Sequence, residues 1–453
     1  MTLLQSEIAP VTYAVMFFRA GATKPSMEKQ IVVVGGGFAG TTFARELQGR
    51  LPPGASLTLI SEESYTTFNP MLPEAVGAAI FPEQAVAPIR AMLLPTTRFV
   101  MGAVTAIDPS RKTLQCETLA GPRMLAYDHL VLAFGSRARL DLVPGMAEHA
   151  LPLKTVGDAL HIRNVVLRRA ARIELESDAA LRRSLGHFIV IGGGFSGVEV
   201  AGTLADCLAG IERYYPRVAP GELRLTLLQD IDRLLPELPP RLGLAALASL
   251  RSRGVNVVLG ARAIEITDQG IRLGDGSFVS ASTAICTIGT RPNVLLEQIH
   301  AAKERGRIAV APDLSVPGHD GLWAIGDCAL VPNALDGSFA PPTAQFAVQE
   351  AKRLAGNILA TMSNRKTRPF RYRARGMMAS VGHLKGVAEV FGVPLTGLAA
   401  WLVWRAYYLS RMPTLGRKLR ILVEWTWGMF FPADITHLRF TRSREQESPG
   451  KNG

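Results

Sequence analysis

Two short glycine runs hold the residues best suited to chemistry in this chain. In FIVIGGGFSGVEVAGTLAD (188–206), four apolar residues lead into Gly192, Gly194 and Gly197, and an apolar helical pattern follows. A buried strand feeding a glycine turn into a helix N-terminus makes a dinucleotide cradle. The first glycine permits the tight turn, the second lets backbone approach a pyrophosphate, and the third lets helix and strand pack closely. The helix end adds free N–H groups and a positive dipole. IVVVGGGFAGTTFARELQG (31–49) repeats the pattern at Gly35, Gly37 and Gly40, 157 residues earlier. Two dinucleotide cradles on one chain suggest a flavin that receives electrons from a nicotinamide. On that reading Gly36, Phe38 and Ala39 of the first loop also touch the flavin cofactor.

Other candidates sit at strand ends. The strand after the first loop ends at Ser61-Glu62, where an acid commonly takes a ribose hydroxyl. Glu62 is the candidate, with a solvated surface carboxylate as the alternative. The strand after the second loop ends at Gln229-Asp230. Gln229 removes the charge that would repel a 2′-phosphate, and Arg233 lies close in sequence, so NADH and NADPH both stay open, with Asp230 as the alternative acid. Gly135 and Gly289 each follow an apolar strand (LVLAFG and AICTIG) and bring backbone close to a bound group. In LWAIGDC, Asp327 follows a glycine at a strand end, where it reaches a ribityl hydroxyl. Val104 and Ala344 complete the cofactor-binding candidates. Gln345 and Gln349, four apart on a helix opening at Pro341-Pro342, share one face; a solvated face is the plainer reading. Glu199, in the first turns of the second helix, stands where the first copy has Thr42. That asymmetry fits a role near the nicotinamide, against the alternative of an acid favoured by the helix dipole.

These residues need two βαβ units to position them. The expected divisions are a disordered extension (1–27), a flavin unit in two parts (28–153 and 290–380) and a nicotinamide unit (154–289). A membrane-anchoring tail (381–440) and a disordered end (441–453) follow. The fold class is α/β, two Rossmann-like domains plus a C-terminal amphipathic helical segment. Val165–Arg183 reads as one basic amphipathic helix, and FNPMLPEAVG, with Pro70 and Pro73, as a rigid loop beside the flavin ring. At 453 residues and 48% hydrophobic content, two or three cores fit. Cys116, Cys207, Cys286 and Cys328 form no close pair, which argues against a disulfide framework, a metal centre and a dithiol redox centre.

The net charge of +12 is concentrated. Between Thr361 and Phe430, 12 Lys/Arg face two acids, Glu389 and Glu424, and four of the five tryptophans lie in the tail. Apolar runs there are too short to span a bilayer, whereas Trp, Tyr and Leu beside Arg and Lys suit an interfacial anchor. Nucleic acid is not expected as a partner, because no binding motif accompanies the charge. A helix pair that packs between two copies is the alternative use of the tail, and a homodimer is expected in either case.

With GVEVAG (197–202), AIGDC (324–328), AQFAVQ (344–349) and the Trp-rich basic tail, the chain resembles the type II NADH:quinone oxidoreductases over about residues 28–440. That resemblance implies FAD in the first unit and NADH or NADPH in the second. It places a quinone near Gln345 and Gln349 and Glu199 near the nicotinamide. It further implies a peripheral protein on the cytoplasmic face of the cell membrane, with a mitochondrial address left open. Ser61 and Gln229 depart from the family's strand-end acids. The competing functions are reduction of a soluble acceptor such as a ferredoxin, and NADH sensing without turnover. Sulfide oxidation is disfavoured by the lack of a cysteine pair.

Overall fold

The structure, a computed structural model, describes residues 29–431 and 434–438; the expected extension and the expected disordered end lie outside them. Strand β1 (Lys29–Val34) buries its Ile31–Val34 run on both faces, as a central parallel strand must. It feeds α1 (Phe38–Gln48), then β2 (Ala55–Ser61). The proline-rich loop is partly helical: a 3-10 turn at Asn69–Met71 runs into α2 (Leu72–Val76), which tolerates Pro73 because it stands in the first turn. Strands β3 (Thr97–Asp108), β4 (Thr113–Thr118) and β5 (Gly121–Ala126) form a meander, and β6 (His129–Leu132) returns beside β1.

The second unit holds β7 (Ala150–Pro152), α3 (Val156–Leu175), β8 (His187–Ile191), α4 (Phe195–Ile211), β9 (Arg224–Leu228), β10 (Asn256–Val258) and β11 (Thr283–Cys286). The single helix expected over 165–183 is instead two. Thr155 and Asp158 form a capping box that starts α3 at Val156. Asp178 accepts from the Ala180 N–H at 2.8 Å and starts a separate helix, Ala179–Leu185.

After β11 the chain goes back to the first sheet with β12 (Leu322–Ala324), then forms α5 (Ala344–Met362). The tail is a three-stranded sheet, β13 (Gly376–Ser380), β14 (Gly386–Val390) and β15 (Val393–Thr396), followed by α6 (Gly397–Arg411) and α7 (Leu415–Trp427).

The first sheet runs β12-β6-β1-β2-β3-β4-β5, parallel as far as β3 and antiparallel beyond. The second runs β7-β11-β8-β9-β10, parallel throughout. In each sheet the strand before a glycine loop has a later strand on one side and the next strand on the other. Order reverses there, and the crevice at the carboxyl end of β1 or β8 is where such sheets take a ligand.

Candidate functional site

The two loops are close geometric copies. Gly35 and Gly192 have φ of +122° and +108°, open to glycine alone without strain. A Cβ on Gly40 would stand 1.9 Å from the Gly35 carbonyl oxygen, and one on Gly197 would stand 1.7 Å from that of Gly192. A Cβ on Gly37 or Gly194 would meet nothing within 4 Å. Each loop is thus closed at its first and third glycines and open at its second. Phe38 and Ala39 begin α1, and Gly37 and Gly194 cap their helices without a side-chain bond or an acid in the first turn. The N–H groups and dipole of both helices stay available to a pyrophosphate. This donor set fits the pyrophosphates of two dinucleotides.

The strand-end residues occupy matching places. A Cβ on Gly36 would strike the Ser61 hydroxyl, and one on Gly193 would press on Gln229. Ser61 and Gln229 are both buried. The Gln229 Oε1 accepts from the Gly193 N–H at 2.7 Å, so this amide stiffens the loop from below. Arg233 is held by the Pro236 carbonyl, and Asp230 is exposed. Glu62 is half exposed and pairs with Arg137 at 2.8 Å. Val104 is buried in β3 opposite Cys116, three residues past the partner of Ser61. Gly135 has φ +65° and open space beside it.

Asp327 accepts from the Ser136 hydroxyl at 2.9 Å, and Lys154 donates to the same hydroxyl at 3.0 Å. Beneath Asp327, the Gly326 N–H donates to Glu350 at 2.6 Å. Glu350 is buried, and burial pushes its carboxyl up to about 7 against the opposing pull of that N–H. Lys154 and Glu350 are absent from the sequence-based candidates. Glu350 is the acid immediately after AQFAVQ, and its signal was an acid within an otherwise apolar helical stripe.

A cavity of about 130 Å³ lies where the units meet. Asn69 and Pro73 line it from the first unit, Ser196 from α4, and Lys154 and Gly289 from the connecting segments. Gly289 takes φ +76° there. The cavity adjoins the mouth of the second loop, since Ser196 is two residues past Gly194.

Glu199, three residues past Ser196 on the same helical face, is buried under the tail. Its Oε1 accepts from the Ser380 N–H of β13 and from the Trp404 indole N–H of α6, both at 3.1 Å. Burial dominates over both bonds and raises the carboxyl to about 8. A second carboxylate, Glu74 of α2, is buried nearby and also raised by burial. Its Oε2 accepts from the Trp425 indole N–H of α7 at 2.6 Å, and Arg405 of α6 approaches the other oxygen at 3.9 Å. The Arg405 guanidinium lies over the rings of Trp401 and Trp425, 3.7 and 4.7 Å from their centroids. Burial brings Arg405 down to about 10, still a cation at neutral pH. Glu74 and Arg405 are not among the sequence-based candidates either. Each is a lone charge inside an apolar segment, and such a charge needs a partner.

Three of the four tail tryptophans therefore do not face outward as an interfacial anchor would have them. Trp401, Trp404 and Trp425 are 2%, 1% and 3% exposed, whereas Trp427 is 61% exposed. Two buried carboxyls need donors, and an indole N–H on an apolar ring supplies one without a further charge. Ala344, Gln345 and Gln349 open α5 half-exposed. The two amides make no hydrogen bond with other described residues. All four cysteines are free and buried, and no group of three metal-ligating side chains occurs among the described residues.

Comparison with known proteins accords with this geometry. The pyridine nucleotide-disulphide oxidoreductase family model matches residues 29–351. The type II NADH:quinone oxidoreductase Ndh of Mycobacterium tuberculosis is 30% identical over 419 residues, 89% of this chain and 88% of that protein. The type II NADH:quinone oxidoreductase of Staphylococcus aureus is 29% identical, over 82% of this chain and 92% of that protein. Among solved structures, NDH2 of Plasmodium falciparum in complex with NADH shares the fold, with a TM-score of 0.85 at 18% identity over 90% of this chain and 100% of that one. This chain belongs to the pyridine nucleotide-disulphide oxidoreductase family, in its type II NADH:quinone oxidoreductase branch.

Proposed function

We infer that this protein oxidises NADH with FAD as resident cofactor and reduces a membrane quinone, without pumping protons. The observation that carries the reading is the pair of matched loops, each open at its second glycine, in a chain whose four cysteines are all free and buried. Bound FAD would supply the two-electron redox chemistry between NADH and quinone. The residues around it bind, orient and handle protons. Gly35, Gly37 and Gly40, with the α1 N-terminus, hold the FAD pyrophosphate. Ser61 and Glu62 serve its adenosine end, and Asp327, tethered by Ser136, serves the ribityl chain. Gly192, Gly194 and Gly197 hold the NADH pyrophosphate over Gln229. The nicotinamide enters the cavity beside Ser196 and Gly289, and the quinone approaches Gln345 and Gln349.

Glu199 holds a proton. Its Oε1 takes both hydrogen bonds, leaving Oε2 as the site of the acid proton at neutral pH. Quinone reduction consumes two protons, and a buried acid titrating near 8 is matched to supply one.

The tail supports a membrane location. No helix among the described residues is long and apolar enough to cross a membrane. On α7, however, Leu415, Leu419, Val423 and Trp427 recur every fourth residue and are all exposed, beside exposed Leu398 and Leu402 on α6. A solvent-facing apolar stripe with Arg417, Lys418 and Arg420 alongside suits a helix lying in a lipid interface. We assign this stripe to the cytoplasmic face of the cell membrane and expect a homodimer, checked by sedimentation equilibrium.

The function is tested anaerobically. NADH should bleach the flavin band of the holoprotein, and a soluble quinone analogue should restore it. No bleaching, or bleaching that quinone does not reverse, would contradict the reading.

A further inference from the structure

A dense concentration of charge among the described residues lies outside the tail helices. A groove of about 630 Å³ opens along the outer face of α5. Seven cations line it: Arg50 just past α1, Lys352 and Arg353 on α5, and four more between positions 365 and 371. No carboxylate is among its lining residues. Of the seven, only Lys352 has an ion pair among the described residues, with Glu46 at 3.6 Å.

Such a cluster repels itself, and the fold holds it in place all the same. The Asn357 side chain, 2% exposed, donates to the Arg368 carbonyl and accepts from the Arg368 N–H, both at 2.9 Å. Asn333, equally buried, clamps Tyr372 the same way, at 2.8 and 3.1 Å. Between the clamps, Phe370 is buried and its N–H donates to the Pro312 carbonyl at 2.7 Å. Two buried amides and a buried ring thus fix a like-charged segment against α5. A merely solvated run of arginines would need none of this, and the uncompensated charge on a fixed frame calls for an anion.

The surroundings indicate which anion. Gln349 lines the near end of the groove, one turn from Gln345 on the same helix. At this same end, Tyr372 follows Arg371, packs edge-on against Phe346 at 5.2 Å, and lies within electrostatic reach of Tyr407 and Arg411 of α6. One end of the groove therefore opens both on the proposed quinone side of α5 and on the helix pair that carries the exposed apolar residues. A single strand of nucleic acid would call for exposed rings on which bases stack, and Phe370, the one aromatic in the lining, is buried.

We propose that this groove is a headgroup site for an anionic phospholipid, whose phosphate is held by the cations between Arg50 and Arg371 while its acyl chains lie with the apolar stripe of the tail. The proposal rests on the reading of the tail as membrane-facing. It adds a specific acidic-lipid requirement that an apolar anchor alone would not impose.

The holoprotein is sedimented at about 0.1 M salt, where charges more than about 10 Å apart are largely screened, with phosphatidylcholine vesicles made with and without an equal share of phosphatidylglycerol. The wild type should prefer the anionic vesicles. The quadruple variant Arg365→Glu, Lys366→Glu, Arg368→Glu, Arg371→Glu should lose that preference by roughly 10²-fold. A charge-matched variant with Arg98, Arg123, Arg168 and Arg305 changed to Glu should lose less than about threefold. The milder pair Arg365→Gln and Lys366→Gln should fall between wild type and quadruple variant, and guards against misfolding in the latter. Flavin content and NADH oxidation with a soluble quinone analogue should stay at wild-type level in all of them.

Equal losses in the quadruple and charge-matched variants would overturn the groove assignment, as would wild-type binding indifferent to phosphatidylglycerol. Loss of duplex-DNA retention in the quadruple variant with unchanged vesicle binding would hand the groove to nucleic acid and overturn it too. Absence of quinone turnover in the wild type would instead break the functional reading and leave the lipid comparison readable by itself.

Discussion

The two glycine loops begin alike and diverge within two residues of the third glycine. After Gly40 the first helix has Thr42; after Gly197 the second has Glu199. The helices are also covered differently. Helix α1 packs along α5, its neighbour in the same unit, with an exposed Lys352–Glu46 pair at the edge. Helix α4 is covered by the tail: a Cβ on Gly202 would stand 2.4 Å from the Val381 backbone, and Ser380 and Trp404 both bind Glu199. On the proposed reading, the same cradle serves a resident cofactor where its helix packs chiefly along α5 of its own unit. On the same reading it serves a substrate where its helix carries a buried acid under the tail, the module with the exposed apolar stripe.

The largest effect should come from filling the open glycine. Gly37→Val is expected to yield protein without flavin, while Gly194→Val should keep flavin and raise the KM for NADH by more than about tenfold. Absorbance spectra and steady-state kinetics read both, and flavin loss from Gly194→Val with retention in Gly37→Val would reverse the assignment of the loops.

Next in size is Glu199→Gln, expected to slow quinone reduction by about 10²-fold at neutral pH. The same residue links stability to pH. Its carboxyl is raised by folding from its ordinary value of 4.5 to about 8, so its contribution is fully present at low pH and is lost as pH rises through about 8. The contribution is on the order of 5 kcal/mol at most. Thermal melts of the wild type should drop between pH 5 and 8 more steeply than those of Glu199→Gln, with Glu350 leaving a residual slope.

Trp404→Phe removes a donor that holds Glu199 down and keeps most of the ring packing. It should cost about 1–3 kcal/mol and move the Glu199 titration upward, seen in the pH profile of turnover. Arg137→Ala, which releases half-exposed Glu62, should change stability by less than about 0.5 kcal/mol. A larger loss would mean that the first loop depends on its rim more than the geometry implies.

Local patterns made the cradles legible. A four-residue apolar run and the G-x-G-x-x-G spacing act over a dozen residues, and the observed glycine geometry follows the role expected for each position. AICTIG repeats the strand-plus-glycine pattern of LVLAFG, which points to a chain that closes the second unit there, and in the fold LWAIGDC then supplies β12 to the first sheet. What escaped was tertiary. Nothing local tells that Trp425 reaches Glu74 across 351 positions, or Trp404 reaches Glu199 across 205. Tryptophans beside arginines read as an interfacial belt, yet Trp404 and Trp425 face inward as donors to two buried carboxyls, and Trp401 faces inward against the Arg405 guanidinium. In the sequence Gln229 stands out for its missing charge; in the fold its amide also braces Gly193, a contact set by loop geometry and invisible in spacing. The helix break at 176–178 was hidden because the basic pattern runs on through Asp178, whose side chain caps the next helix.

The most direct measurement is the rate at which NADH-reduced protein is reoxidised by a soluble quinone analogue, followed in stopped flow across pH 6 to 10 for wild type and Glu199→Gln. A wild-type rate that falls as pH rises through about 8, against a slow and flat rate in the variant, is the predicted result. Superimposable profiles would show that the acid under the tail takes no part, and that the two loops differ in sequence without differing in chemistry.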